Sequence, residues 1–144
     1  RSSPMPLEPG LTHEMTLLVQ ESDTARQSGG ETLPPVLSTP RMIGFLERTA
    51  HQSVLPFLNP GQTTVGTLVN VRHLAATPVG LQVRFRSELL EVDRRRLRFK
   101  VEAWDEVEKI GEGEHERFII DEARFTQRLG EKIHHGDTED TEKK

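Results

Sequence analysis

The first patterned stretch of the chain alternates apolar and polar residues, which predicts a β-strand over residues 11–19. Leucine, methionine and valine occupy most of the odd-numbered positions of that strand. The following segment, Glu21–Thr32, has no large apolar residue and contains Gly29-Gly30. We expect this segment to be a mobile surface flap.

One long helix is predicted to begin at Thr39-Pro40, because threonine is a good N-cap and proline suits the first helical position. Turn-forming residues, Asn59-Pro60-Gly61, close the segment. Apolar and small residues recur between these signals at helical spacing, namely at Met42, Ile43, Phe45, Leu46, Thr49, Ala50, Ser53 and Val54.

From Gly61 to Ile120 the pattern returns to alternation and predicts four antiparallel strands, with a hairpin at Asp93–Arg96. Asp121 is a candidate N-cap for a short C-terminal helix over Ala123–Leu129. The element order favours an α+β fold, in which an antiparallel sheet of these strands and the first one wraps the long helix. The predicted domain covers residues 11–130, between a flexible N-terminus, 1–10, and a disordered polar tail, 131–144.

Composition excludes several kinds of function. The 144 residues carry a formal charge of −4, from 19 basic and 23 acidic side chains, so no positive field favours nucleic acid. The absence of cysteine excludes disulfides, thiolate metal sites and a cysteine nucleophile. No window is apolar enough for a membrane span or a signal peptide, and we expect a cytoplasmic protein without a membrane partner.

Two titratable residues fall where the pattern expects apolar ones. Glu47 lies within the apolar stripe of the helix, and His73 ends the strand Val65–His73 on the face of its valines. A carboxylate near a buried face needs a partner, because desolvation disfavours its charge. Glu47 could instead reach the helix edge and pair with Arg41 or Arg48, and His73 could be a satisfied core histidine. Their joint occurrence, on elements predicted to pack together, favours a shared site.

The remaining candidate motifs have structural explanations. Thr39 can simply cap the helix, and Gly66 can mark a bulge or a close approach that exposes its N–H to a carbonyl oxygen. Arg94–Arg96 is most simply a solvated hairpin tip rather than a phosphate site. His134-His135 lacks nearby rigid metal ligands, and Gly111–His115 opens no helix and is not a dinucleotide motif. We expect neither a metal nor another cofactor.

Several short motifs of the chain occur together in one family. They are Pro34–Thr39, Gly44–Glu47, Asn59–Gly61, Val65–Thr67, His73–Pro78 and Gly111–Arg117. In combination they resemble the fluoroacetyl-CoA thioesterase-like group of hotdog-fold proteins, over residues 11–128. The most specific part of the resemblance is the joint occurrence of Thr39, Glu47, Gly66 and His73 at that family's spacings.

The resemblance implies a hotdog fold, in which a five-stranded antiparallel sheet wraps a long helix, with a short C-terminal helix. It also implies a homodimer with acyl-CoA pockets at the subunit interface. In the similar enzymes the residues matching Thr39, Glu47 and His73 form the catalytic set. The glycine matching Gly66 helps to hold the thioester carbonyl.

The sequence departs from the family pattern at Leu33 and Leu37. The fluoroacetyl-specific member has phenylalanine at both positions, whereas this chain has aliphatic side chains. Both leucines are substrate-binding candidates, and fluoroacetyl-CoA itself is not predicted as the substrate.

The leading hypothesis is hydrolysis of a short acyl-CoA thioester to the free acid and CoA. Glu47 would act as base or nucleophile, His73 would transfer or stabilise the proton, Thr39 would orient one of them, and the Gly66 N–H would bind the oxyanion. The alternative is a noncatalytic acyl-CoA or small-ligand binding protein on the same dimer. A hydratase is disfavoured, because the chain lacks the Asp-x-x-x-x-His helix pattern of hotdog hydratases.

Helix geometry sets a condition on this hypothesis. Eight residues of ideal helix rise about 12 Å, too far for Thr39 and Glu47 to touch if both are helical. Either Thr39 precedes the regular helix, or another segment or subunit completes the site.

Overall fold

The computed structural model describes residues 6–143, with side chains described for residues 6–134. Residues 1–5 of the predicted flexible N-terminus lie outside the described residues. The described part contains strands β1 (Thr12–Leu18), β2 (Gln62–His73), β3 (Gln82–Asp93), β4 (Arg96–Trp104) and β5 (Lys109–Asp121), and helices α1 (Ala25–Gly29), α2 (Thr39–Val54) and α3 (Glu122–Lys143).

The five strands form one antiparallel sheet in the order β1-β3-β4-β5-β2. Helix α2 packs against one face of the sheet, where Phe45 stacks on Phe85 of β3 with ring centroids 5.3 Å apart. Alternate residues of β3 and β4 supply most of the remaining core, because successive side chains of a strand point to opposite faces. The fully buried ones include Val83, Leu89, Leu97, Phe99 and Val101. The predicted α+β architecture is confirmed.

Strand β2 lies at one edge of the sheet and differs from the others. Its register against β5 shifts between Gly66 and Leu68, so the predicted irregularity at Gly66 is confirmed. Leu68 and Val69 are 42% and 43% exposed. Across the bulge, Val69 lies opposite the buried His115 and therefore on the inner face of the sheet. Val65 lies opposite Phe118, which is 42% exposed, so the prediction that the valines of β2 share one face is wrong at Val65.

The segment predicted as an unstructured flap folds locally. Residues 21–23 form a 3-10 turn, and α1 follows, with the Thr24 side chain accepting from the Gln27 N–H as its N-cap. Asp23 is only 3% exposed and accepts hydrogen bonds from the Gln20 N–H and from Arg41 Nε, the latter at 2.8 Å. The prediction of an unstructured loop is therefore wrong over residues 21–29, where this buried carboxylate ties the start of the segment to α2. The mobility of the segment stays a prediction.

Helix α2 begins at Thr39, but its N-cap is Ser38, whose hydroxyl accepts from the Arg41 N–H. The assignment of Thr39 as N-cap is therefore wrong by one residue, and the Thr39 hydroxyl is left for another partner.

Helix α3 runs to Lys143, past the end predicted at Leu129. The disorder of 131–144 stays a prediction. No helix in the described range is both long enough and apolar enough to cross a membrane.

Candidate functional site

The Thr39 hydroxyl and the His73 imidazole meet where the first turn of α2 approaches the end of β2. Thr39 Oγ1 lies 2.7 Å from His73 Nδ1, a short side-chain hydrogen bond. Both positions follow from the local structure: Ser38 satisfies the helix start in place of Thr39, and His73 is the last residue of β2. The fold thus pairs two of the predicted catalytic residues.

The environment of His73 favours its neutral form. Burial lowers the pKa of His73, and the Ala75 backbone opposes this effect without cancelling it. At neutral pH the ring is uncharged, so Nδ1 can accept the Thr39 hydroxyl proton. His73 Nε2 is buried and has no hydrogen-bond partner among the described residues. A neutral imidazole with one unused nitrogen is suited to proton transfer.

A cleft of about 390 Å³ opens beside this pair. Leu37, one of the two substrate-binding candidates, is almost fully buried and lines the cleft together with Thr39 and His73. Leu33 is 39% exposed and does not line it. Leu33 instead lies over Gly29, where any added side chain would collide with it.

Glu47 lies elsewhere, two turns along α2. A methyl group built on Gly66 would lie 3.1 Å from Glu47 Oε2, so the carboxylate approaches the β2 backbone directly at the glycine. The same point is 3.3 Å from Arg117 Nη1 and 3.3 Å from His115 Cε1. Glu47, His115 and Arg117 therefore converge on the space above Gly66, which only a residue without a side chain leaves open.

Arg117 is held in place by several hydrogen bonds. Its Nε and Nη2 donate to the hydroxyl and the carbonyl oxygen of Thr64, at 2.7 and 3.0 Å. Its Nη1 lies 3.2 Å from His115 Nε2, while His115 Nδ1 lies 2.8 Å from the Leu68 carbonyl oxygen. Burial lowers the pKa of Arg117 and the charge of Glu47 opposes the shift, so the guanidinium remains a cation beside a carboxylate.

The pKa of His115 is lowered, chiefly by burial and also by the charge of Arg117, against opposing contributions led by the Leu68 backbone. Its Nδ1 donates to the Leu68 carbonyl oxygen, which leaves Nε2 as an acceptor for Arg117. His115 is thus a neutral hydrogen-bonding residue between the bulge of β2 and the Arg117 guanidinium.

Within one subunit the predicted site residues form two groups. Thr39 and His73 share a hydrogen bond and a cleft, whereas Glu47 and Gly66 lie together farther along α2 and β2. Glu47 does not line the cleft of the Thr39–His73 pair. Thr39 and Glu47 both lie within α2, so their backbone positions are about 12 Å apart along the helix axis.

Sequence reasoning did not single out His115 and Arg117 as site residues. They alternate on β5 with Ile119, which is also buried. The sequence does hold one indication of them: two polar residues occupy alternate positions of a strand whose side chains are otherwise buried. Buried polar groups require hydrogen-bond partners. The sequence could not show that those partners lie on α2 and β2.

Other candidate sites have structural roles or lack ligands. In the part of the chain that is described, no three His, Cys, Asp or Glu side chains are grouped as metal ligands. At the hairpin tip, Arg95 pairs with Asp121 at 3.4 Å and Arg96 pairs with Glu116. These arginines are therefore partly neutralised, which supports the interpretation of a solvated tip over a phosphate site.

The sequence matches known thioesterases. Residues 19–123 match the family model described as fluoroacetyl-CoA-specific thioesterase. The fluoroacetyl-CoA thioesterase of Streptantibioticus cattleyicolor is 40% identical over 99 residues, which cover 69% of this chain and 71% of that protein.

Solved structures share the architecture. A structure of the fluoroacetyl-CoA thioesterase has a TM-score of 0.84 at 34% identity, covering 88% of this chain and 97% of that one. A hot-dog-like protein from Thermanaerovibrio acidaminovorans has a TM-score of 0.79 at 23% identity, covering 86% and 91%. The predicted hotdog fold is confirmed.

Proposed function

Since the chain belongs to the fluoroacetyl-CoA-specific thioesterase family and is an acyl-CoA thioesterase, we propose that it hydrolyses short acyl-CoA esters with Thr39, Glu47 and His73. The observation that carries the assignment of residues is the 2.7 Å contact between the Thr39 hydroxyl and a neutral His73. Such a pair can hold and move a proton beside a substrate cleft.

The reaction needs an attacking oxygen, a base and an oxyanion donor. Glu47 either removes a proton from water or attacks the thioester carbonyl itself, while its neighbour Arg117 supplies positive charge near the carbonyl. The Gly66 N–H donates to the carbonyl oxygen, which can approach closely because glycine has no side chain. If water attacks, its oxygen forms the C–O bond of the acid as the C–S bond breaks. If Glu47 attacks, the C–S bond breaks as an anhydride forms on Glu47, and water then cleaves that anhydride to the acid and free Glu47.

The leaving thiolate takes a proton, and His73 is the proposed source. The neutral ring accepts the proton that Glu47 has removed from water and passes it to the sulfur, while the Thr39 hydroxyl holds the ring in place. Water and thioester thus give the acid and the CoA thiol. Burial lowers the pKa of His73, which keeps the ring neutral at rest and makes its imidazolium a good acid.

We further propose a homodimer that completes the site. Within the described residues no strand pairs with the outer edge of β2, and its exposed Leu68 and Val69 are typical of a surface that a partner covers. The separation of Glu47 from the Thr39–His73 pair in one subunit supports a site that combines Glu47 of one subunit with Thr39 and His73 of the other. The cytoplasmic location stays a prediction from the sequence.

The cleft favours a small aliphatic acyl group. Leu37 is the proposed acyl contact, since it lines the cleft, whereas Leu33 does not line it and stays a substrate-binding candidate from the sequence. Aliphatic side chains at both positions provide no aromatic face toward the acyl carbon. Fluoroacetyl-CoA is therefore one substrate to compare, and the acyl preference is decided by assay.

Free-thiol release tests the function directly. Wild type and His73→Ala are incubated with acetyl- to hexanoyl-CoA, phenylacetyl-CoA and fluoroacetyl-CoA, and released CoA is measured with a thiol reagent. His13→Ala, on β1, is the matched control for loss of a histidine. We expect turnover of the short esters that His73→Ala loses and His13→Ala retains. Binding of all esters without turnover would instead identify a noncatalytic acyl-CoA binding protein.

A further inference from the structure

The histidine of α2, His51, is joined to the Glu47 region by a chain of hydrogen bonds. His51 lies one turn after Glu47, so both side chains project from the same side of the helix. His51 Nδ1 is 2.7 Å from Thr64 Oγ1, and the same oxygen accepts from Arg117 Nε at 2.7 Å. Arg117 in turn reaches the space above Gly66. None of the predicted site residues is part of this link between His51 and Arg117.

The direction of these hydrogen bonds follows from the number of donors. Thr64 is buried, and its hydroxyl has one proton to donate. Arg117 can only donate, so Thr64 Oγ1 is the acceptor in that contact. If His51 also donated, the Thr64 proton would be buried without an acceptor, which costs free energy. The hydroxyl therefore donates to His51 Nδ1, and His51 carries its own proton on Nε2.

The orientation of Arg117 depends on this arrangement. Three of its five N–H groups are bound, two of them to Thr64, and Nη1 retains one N–H next to Glu47 and Gly66. The Thr64 hydroxyl can present a lone pair to Arg117 Nε in a fixed direction only while its proton has an acceptor. Burial and the charge of Arg117 lower the pKa of His51, which preserves that acceptor at neutral pH.

We propose that His51 is a positioning residue: through the Thr64 hydroxyl it fixes the Arg117 guanidinium next to Glu47 and above Gly66. The inference rests on the proposed function, in which the thioester carbonyl is bound at Gly66. Removing the acceptor leaves the Thr64 hydroxyl free to rotate, and the guanidinium loses its fixed direction. A displaced Arg117 guanidinium lowers the rate of the chemical step, whereas the affinity for CoA changes little.

Matched variants test the role of the acceptor. His51→Leu removes it, whereas His51→Asn places an amide oxygen close to the position of Nδ1 and cannot titrate. Thr64→Val removes the hydroxyl and Thr64→Ser retains it. We expect kcat to fall roughly fivefold to tenfold in His51→Leu with little change in KM, and to remain within about twofold of wild type in His51→Asn and Thr64→Ser.

The double variant His51→Leu/Thr64→Val provides the decisive comparison. Two residues that act through one hydrogen bond give non-additive effects, so the double variant should be no slower than Thr64→Val alone. Wild-type kcat in His51→Leu, equal losses in His51→Asn and His51→Leu, or multiplied losses in the double variant would each overturn the inference.

A spectroscopic measurement separates this inference from the proposed function. Nitrogen-15 NMR of the histidine side chains distinguishes a protonated from an unprotonated Nδ1. We expect wild-type His51 to show Nε2–H with Nδ1 as an acceptor, and Thr64→Val to shift the Nδ1 signal. A wild-type Nδ1–H, or no response to Thr64→Val, refutes the inference. Absence of turnover in wild type, with the expected His51 signals, refutes only the proposed function.

Discussion

Mixed dimers can show whether Glu47 acts with the Thr39–His73 pair of the same subunit or of the other. The perturbation combines one subunit carrying Thr39→Ala with one carrying Glu47→Gln. Thr39 and Glu47 lie eight positions apart within α2, which separates their backbones by about 12 Å along the helix axis. A side-chain hydrogen bond spans about 3 Å, so the two side chains of one helix cannot act on the same carbonyl unless the substrate bridges them.

The expected activity follows from counting sites. If each site takes Glu47 from one subunit and Thr39 from the other, a mixed dimer has one site with both substitutions and one site with neither. The purified mixed dimer should then have about half of wild-type kcat per dimer, although each parent variant is inactive. If all groups come from one subunit, both sites of the mixed dimer are defective and the activity stays at the level of the parents.

The assay uses co-expression with two different affinity tags, purification over both resins, and CoA release from the best ester of the panel. A mixed dimer of Thr39→Ala and His73→Ala is the matched control. Those two residues share a 2.7 Å contact within a subunit, so this pair should not recover activity. No recovery in the Thr39→Ala/Glu47→Gln dimer, with both tags present, would refute a site shared between subunits.

Three further predictions concern single positions. Gly66→Ala places a methyl group 3.1 Å from Glu47 Oε2. We expect kcat to fall about tenfold or more, while the free energy of unfolding changes by about 1 kcal/mol or less. A wild-type kcat would show that the thioester carbonyl does not bind in the space above Gly66. The pKa of His73 is lowered from 6.5, so kcat/KM should be constant through neutral pH and fall with a midpoint below 6.5; a midpoint above 6.5 contradicts a neutral buried ring. Ser38→Ala should cost about 1 kcal/mol in urea denaturation and Thr39→Ala clearly less, because Ser38 is the N-cap; equal costs would contradict the assignment.

Short-range patterns account for the parts of the fold that were predicted correctly. The period of the apolar residues between Met42 and Val54 identified α2, and alternation identified the strands, because burial on one face imposes these periods. The prediction of a loop without secondary structure over Glu21–Thr32 is wrong for a physical reason. The turn and the short helix of this segment are stabilised by the contact of Asp23 with Arg41, which lies 18 residues away. A local sequence pattern cannot predict a contact between residues so far apart in the chain.

The sequence by itself determined the order of the five strands and the two longer helices and the family, and it predicted the candidate positions Thr39, Glu47, Gly66 and His73, because spacing and residue type are properties of the chain. Only the tertiary structure decided which of these residues meet. Thr39 is free to contact His73 because the neighbouring Ser38 caps α2, and Glu47 faces Gly66 because a bulge in β2 brings a residue without a side chain to that point. The link from His51 through Thr64 to Arg117 joins α2, β2 and β5, and hydrogen bonds between elements depend on packing rather than on spacing.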